Sequence, residues 1–285
     1  MTTNESSLLP HQFSLLLDGP TVKILYAADI DGTPTVIFNA IPKAVVTQFS
    51  SFLGDCFPSC DKVHVSRKGC DGKTYATIFG GVKPAFVCIF QWMLSSCKNQ
   101  TFQNIDRFEF AKYARLYEAA VLLGISRIEN EMVFRMELLA KGQVPIQDVK
   151  IIYANFPKEC LPRQIVIRSI GDALFERRLR RCALYKDFKL QCAEYDKDIY
   201  GYIQEKKAAI REEEMAKKRG GKKKQNSNEG KPGKDCGEAP QIIIKRVQAV
   251  TARKGHGGKP TYFRIGLEEF GISNQEYTAA KPTRT

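Results

Sequence analysis

Short β-branched and aromatic runs open the chain, and helical periodicity follows them. Val22 to Ala27 (VKILYA) and Thr35 to Phe38 (TVIF) read as two strands joined through Asp31-Gly32, a dipeptide suited to hairpins. After Ile41-Pro42-Lys43 the period changes. Pro42 suits a first helical turn, and Val45, Val46, Phe49, Phe52 and Leu53 recur at helical spacing. Lys62 to Ser66 (KVHVS) alternates as a strand, with Thr74 to Phe79 (TYATIF) as its partner across a Gly-rich turn. Pro84 then opens a helix whose stripe is Phe86, Ile89, Phe90, Met93 and Leu94. Arg107 to Leu123 predicts another, closed by Gly124. Ser126 and Glu129 predict a capping box for a helix facing inward through Ile128, Met132, Met136 and Leu139. Gly142 and Pro145 end that helix, and residues 146–155 and 161–181 continue in helices. Strands first and helices afterwards predict an α+β class, a small β-sheet with hairpins flanked by helices.

Farther on the pattern loosens. Phe188 to Met215 predicts one long helix with Gly201 as its only breaker, its charge dense from Glu205 to Lys218. Arg219 to Pro240 has the composition of a disordered linker. Gln241 to Val250 and Thr261 to Gly266 regain apolar character as a short, weak β segment. The expected division is a disordered N-terminus (1–12), an α+β domain (13–140), a helical extension (141–203) and a basic, largely disordered tail (204–285).

Charge sharpens this division. The 285 residues carry 44 Lys+Arg and 31 Asp+Glu, net +13. Residues 1–200 contribute a net of +4 and residues 201–285 a net of +9, so the excess belongs mainly to the tail. Hydrophobic residues, 43% of the chain, suffice for an ordinary core. No uninterrupted apolar run approaches the roughly 18 residues of a membrane span, and no membrane association is expected. Glu5 and the lack of an apolar segment exclude a secretory signal at the N-terminus. Nine scattered cysteines then read as reduced thiols of an intracellular protein, in cytoplasm or nucleus. Cys56, Cys60 and His64 lack the further ligands of a zinc site, since the remaining histidines are His11 and His256. Neither a metal nor a cofactor is expected.

Three stretches carry a resemblance. Phe38 to Leu53 (FNAIPKAVVTQFSSFL), Lys83 to Cys97 (KPAFVCIFQWMLSSC) and Phe110 to Met136 (FAKYARLYEAAVLLGISRIENEMVFRM) together resemble the BTB/POZ domain, in the divergent form common in fungal proteins. In the first, Ile41-Pro42-Lys43, Val45, Val46, Ser50 and Phe52 hold the places of the family's strand-then-helix motif. Gln147 to Tyr153 and Leu161-Pro162-Arg163 are similar to the helical extension that often follows, with its pattern of an acid, a tyrosine and a Leu-Arg pair. The resemblance covers about residues 13 to 200 and implies a non-enzymatic scaffold or adaptor, commonly a homodimer, that recruits protein partners. It implies an apolar interaction surface, for which Val45, Phe49, Phe52, Phe86, Phe90 and Leu94 are the candidates; ordinary burial preferences favour core at these positions. Members that bridge to cullin-type ligases carry an acid where this chain has Cys88, so cullin binding is not expected.

Three rival motifs compete with that reading. Asp29 and Asp31 of DIDGT, after an apolar strand, resemble the nucleophile and general acid of Mg²⁺-dependent haloacid-dehalogenase-type phosphatases. That chemistry needs a later lysine, a second acidic pair and an alternating α/β chain, whereas Gly171-Asp172 falls in a helical stretch; a hairpin turn explains DIDGT alone. Gly72-Lys73-Thr74 ends like a phosphate-binding loop, but Arg67 stands where its first glycine belongs. Lys217, Lys218, Arg219, Lys222, Lys223 and Lys224 form a cluster suited to nuclear import or, as a basic-tail regulator, to nucleic-acid phosphates. Without interleaved aromatics, nucleic acid is the weaker of the two.

Overall fold

The computed structural model describes residues 8–57, 67–68 and 74–223. Strand β1 (Thr21–Ala27) and strand β2 (Thr35–Pro42) form the expected antiparallel hairpin. Its seven-residue loop is tightened by the Gly32 N–H, which donates to the Asp29 carbonyl at 3.0 Å. The chain then returns through α2 (Lys43–Phe49) and α3 (Ser51–Cys56). The two-residue β3 (Arg67–Lys68) lies antiparallel to β4 (Thr74–Phe79), and β4 lies parallel to β1. Sheet order is therefore β2-β1-β4-β3. A parallel neighbour requires a crossover rather than a tight turn, which α2 and α3 help to supply. Residues 62–66, expected as a strand, lie outside the described residues.

One face of the sheet presents Val22, Ile24, Ala76 and Ile78, all buried. Against it runs α4 (Lys83–Lys98), whose Phe86, Ile89, Phe90, Met93 and Cys97 follow one another at helical spacing and are all buried. Helix α1 (Pro10–Leu15) corrects the expectation of a disordered segment to residue 12: Phe13 packs edge-on to Phe102 at 5.1 Å, and Leu8 lies against the core.

Next come α5 (Phe110–Leu123) and α6 (Ser126–Gly142). Gly124, at φ 64°, closes α5 in the left-handed region, and the Ile125 N–H reaches back to the Ala120 carbonyl at 2.9 Å. That closure leaves buried Ile125 as the N-cap of α6, so Ser126 is already helical and the expected capping box does not form. Helices α7 (Ile146–Asn155), α8 (Leu161–Phe175), α9 (Cys182–Gln191) and α10 (Ala193–Lys223) complete the described chain.

Strand β2 runs on to Pro42 instead of ending at Phe38, α5 begins at Phe110 instead of Arg107, and three boundaries in the extension differ from expectation. Helix α8 stops at Phe175, six residues early, because Arg177 and Arg181 adopt left-handed backbone (φ 58° and 51°). The long helix expected over 188–215 breaks at Cys192, which is extended; the break lets Tyr185 and Phe188 of α9 and Tyr195 and Ile199 of α10 all reach the interior. Helix α10 then continues to Lys223, eight residues past the expected end at Met215 and well into the span assigned to the largely disordered tail from 204. Ala208, Ala209 and Ala216 favour helix there, and Glu213 meets Lys217 one turn on at 2.7 Å. The segment 241–266 lies outside the described residues. One buried cluster runs from the sheet through Val149, Ile152, Ile165, Val166 and Ile170 to Ile199. Among the described residues no helix is long and apolar enough to cross a membrane.

Candidate functional site

Four of the six residues proposed for an apolar interaction surface belong to the core. Val45, Phe86 and Phe90 are 0% exposed and Phe49 is 2% exposed. Phe49 stands edge-on to Trp92 at 5.6 Å, Phe86 faces Tyr26 at 5.9 Å and Phe90 faces Phe38 at 5.6 Å. These four side chains are spent inside the chain, as burial preferences favour, which removes them from the interaction surface that the resemblance implied. Phe52 is exposed and Leu94 half-buried; Cys88 is buried on α4.

The rival motifs fall in separate places. Asp29 and Asp31 are exposed in the β1–β2 hairpin loop, and the strand after them runs antiparallel. Asp172 accepts from the Tyr202 hydroxyl at 2.8 Å and from Lys206 Nζ at 2.6 Å, which lowers its pKa against the opposing effect of burial and ties α8 to α10. Gly171 beside it makes the approach possible, since a Cβ there would overlap the Tyr202 ring. Among the described residues no three His, Cys, Asp or Glu side chains gather as metal ligands. Cys60, His64, Gly72 and Lys73 lie outside the description, and Thr74 begins a strand. In the basic cluster, Lys217 pairs with Glu213; Lys218, Arg219, Lys222 and Lys223 lie on the last turns of α10, and Lys224 is outside the described residues.

The extension motif becomes a buried clamp. Asp148, Tyr153 and Arg163, the acid, tyrosine and arginine of the quoted pattern, all serve its packing. Asp148 Oδ1 accepts from the Ala111 N–H at 3.4 Å, joining α7 to the first turn of α5. Burial raises the Asp148 pKa to about 6; the Ala111 and Phe110 amides pull it down and Glu109 pushes it up. The Arg163 guanidinium lies 4.2 Å from the Tyr153 ring centroid. It donates to Asp198 Oδ2 through Nε and Nη2 at 3.1 and 2.9 Å, and through Nη2 to Glu194 at 2.7 Å. The Tyr153 hydroxyl donates to the same Asp198 oxygen at 3.3 Å. Helices α7, α8 and α10 thereby meet at one guanidinium.

Surface chemistry concentrates where α8 gives way to α9. Arg177, Arg178, Arg180 and Arg181 are all exposed there. Arg178 pairs with Glu176 at 2.6 Å, whereas Arg180 and Arg181 have no ion pair among the described residues. Apolar periodicity does not mark this turn, because the run ERRLRR extends a helical stretch; charge density is the signal that could have found it. Gln143 fixes the turn in place. Its Oε1 accepts from the Arg180 N–H at 2.9 Å, and its Nε2 donates to the Arg180 carbonyl at 3.1 Å and to the Tyr185 hydroxyl at 2.8 Å. Tyr185 in turn donates to the Val144 carbonyl at 2.7 Å.

Two cavities flank Tyr185. One, of about 570 Å³, is a cleft between the α6–α7 junction and the arginine turn, lined by Gln143, Ile146, Arg180, Arg181 and Leu184 among others. Helix α9 starts at it with Arg181 as N-cap, without a side-chain cap and without an acid in its first turn. Arg180 and Arg181, beside the positive end of a helix, make one rim of this cleft basic, and Asp148 on its other side opposes them. The other, of about 210 Å³, is an apolar groove between α8, α9 and α10. No family model matches the chain, and comparison with curated proteins and with solved structures finds no match either.

Proposed function

We propose that this chain is a non-enzymatic protein–protein interaction module of BTB/POZ type, a scaffold or adaptor that recruits partner proteins and pairs with a second copy of itself. One observation carries the reading. The stretches that carry the resemblance lie on β2–α2–α3, on α4, on α5–α6 and on α7–α8, and these elements form one small sheet flanked by helices. The α+β order of elements supports it further, as does the use of Asp148 to join the extension to α5 and of Tyr153 and Arg163 to hold the helices of the extension together. Exposed Phe52 and half-buried Leu94 are the two candidates from the apolar set still at hand for contact, and Cys88 argues against a cullin partner. The basic end of α10, Lys217 onward, serves as an address for nuclear import rather than as a nucleic-acid reader.

The test uses the full chain. Light scattering at on the order of tens of micromolar, where weak dimers form, is expected to give twice the monomer mass, and affinity purification from cells a stoichiometric protein partner. A strict monomer that retains no protein overturns the proposal. So does Mg²⁺-dependent hydrolysis of a generic phosphate ester that is lost in Asp29→Asn, which would restore the phosphatase.

A further inference from the structure

Asp148 is 5% exposed and forms no ion pair among the described residues. Its one hydrogen bond there comes from the Ala111 N–H at a long 3.4 Å, while Oδ2 takes none and is not sealed from solvent. Asp198, also buried, shows the ordinary condition, with Arg163 and Lys158 on its carboxylate. Buried charges are normally paired or hold a metal. Among the described residues no group of three metal ligands forms, so Asp148 points to an organic cation that the chain does not itself supply. Glu109 adds to the negative field, and a carboxyl that titrates at about 6 is ionised at pH 7.

Asp148 lines the 570 Å³ cleft, whose other rim carries Arg180 and Arg181. Both arginines are exposed, and neither has an ion pair among the described residues. Gln143 holds the Arg180 backbone at 2.9 and 3.1 Å, which fixes that rim in place. Pro145, Ile146 and Leu184 supply apolar lining. A simple anion would face Asp148 and a simple cation the arginines, whereas a ligand with both charges meets each with its opposite. The volume equals that of about nineteen waters at ~30 Å³ each, within the usual range of small-ligand sites.

We infer that this cleft binds a small zwitterion with an apolar body, an amino acid or a short peptide with both ends free. Its ammonium donates to Asp148 Oδ2, its carboxylate is held by Arg180 and Arg181, and its side chain lies against Ile146 and Leu184. The inference goes beyond the recruitment reading, and neither a dimer mass nor a captured protein enters its test.

Calorimetric titration of the full chain at pH 7 tests it, with leucine and leucyl-leucine, each also as its N-acetyl form and as its amide. A free-ended ligand is expected to bind; leucine as the tighter of the two identifies an amino acid, leucyl-leucine a peptide. The N-acetyl form lacks the ammonium and the amide lacks the carboxylate, and each should bind at least about tenfold more weakly than its parent. Asp148→Asn is the decisive variant, because it keeps an acceptor for the Ala111 N–H. It should lose about tenfold toward the free-ended ligand and bind the N-acetyl form no more weakly than the wild type does. The double variant Arg180→Gln with Arg181→Gln, at exposed positions, keeps the wild-type circular dichroism, loses a similar factor and binds the amide no more weakly. No saturable binding of either free-ended ligand up to about 10 mM overturns the inference. So does a blocked form that binds as well as its parent, or an Asp148→Asn chain with unchanged affinity.

Discussion

Replacing Arg163 with methionine removes a guanidinium while keeping most of its stem. The Arg163 side chain is 4% exposed, and the Asp198 carboxylate it holds is 3% exposed. The variant leaves Asp198 with the Tyr153 hydroxyl at 3.3 Å and with Lys158 Nζ at 3.5 Å, the latter on a largely exposed side chain. Breaking a buried pair by deleting one partner destabilises by about 3–5 kcal/mol. The two remaining contacts place Arg163→Met near the lower end, about 3 kcal/mol. Against a typical stability of roughly 5–15 kcal/mol, that is a large share. In urea, with a slope of about 1–3 kcal/mol per molar, the unfolding midpoint should fall by about 1–3 M. The second carboxylate on the same guanidinium behaves differently: Glu194 is 73% exposed, so Glu194→Gln should change stability by less than about 1 kcal/mol. Arg163→Met combined with Asp198→Leu removes both buried charges and should recover most of the loss. Urea titrations of the two singles and the double read this directly. An Arg163→Met loss below about 1 kcal/mol, or a double variant as unstable as the sum of its singles, refutes the account of the clamp.

Two further predictions concern single positions. The Asp148 carboxyl titrates at about 6 in the folded chain against an ordinary 3.8, so between those values the folded state holds more protons than the unfolded one. Stability therefore falls as pH rises through that window, by up to about 3 kcal/mol above it. Asp148→Asn keeps an acceptor for the Ala111 N–H and should raise the thermal midpoint at pH 7 but not near pH 4; equal midpoints at pH 7 contradict the shift. Gly124→Ala places a Cβ in left-handed backbone and against Ser51 Oγ. It should lose about 1–2 kcal/mol in chemical denaturation, of which Ser51→Ala restores only the steric part; full restoration would show that the backbone imposes no penalty.

Much of the sheet and of α2 to α8 was legible because amphipathic elements repeat every two or every three to four residues, and Gly124, Pro84 and Pro145 punctuate them. The same periodicity left Val45, Phe49, Phe86 and Phe90 open to two uses, core or contact, with burial preference favouring the core they form. An apolar stripe states that a face is covered, not whether its own chain or another covers it, and here the sheet and α4 cover each other. The end of α8 was missed because left-handed Arg177 and Arg181 have no composition signal of the kind glycine gives. The break at Cys192 depends on four aromatic and aliphatic side chains reaching the interior from two directions, which is a tertiary demand.

The two halves of the chain divide their labour by side-chain type. Around the sheet, packing is dominated by aromatic and aliphatic groups: Phe13, Phe49, Trp92 and Phe102 form one contiguous set of ring contacts, with the Trp92 indole N–H satisfied by the Gln103 carbonyl at 2.7 Å. In the extension, polar groups set the geometry. Arg163 fixes α10 against α7 and α8, and Gln143 fixes the arginine turn. Tyr185, held by Gln143 and Val144, is the one side chain that lines both cavities. An apolar core tolerates volume-conserving exchange, whereas a satisfied polar network specifies one arrangement. Chemistry that needs fixed donors and fixed charge is thus better supported by the corner between α8 and α9 than by the face of the sheet. The apolar groove between α8, α9 and α10 and the arginine-rimmed cleft are both built on it.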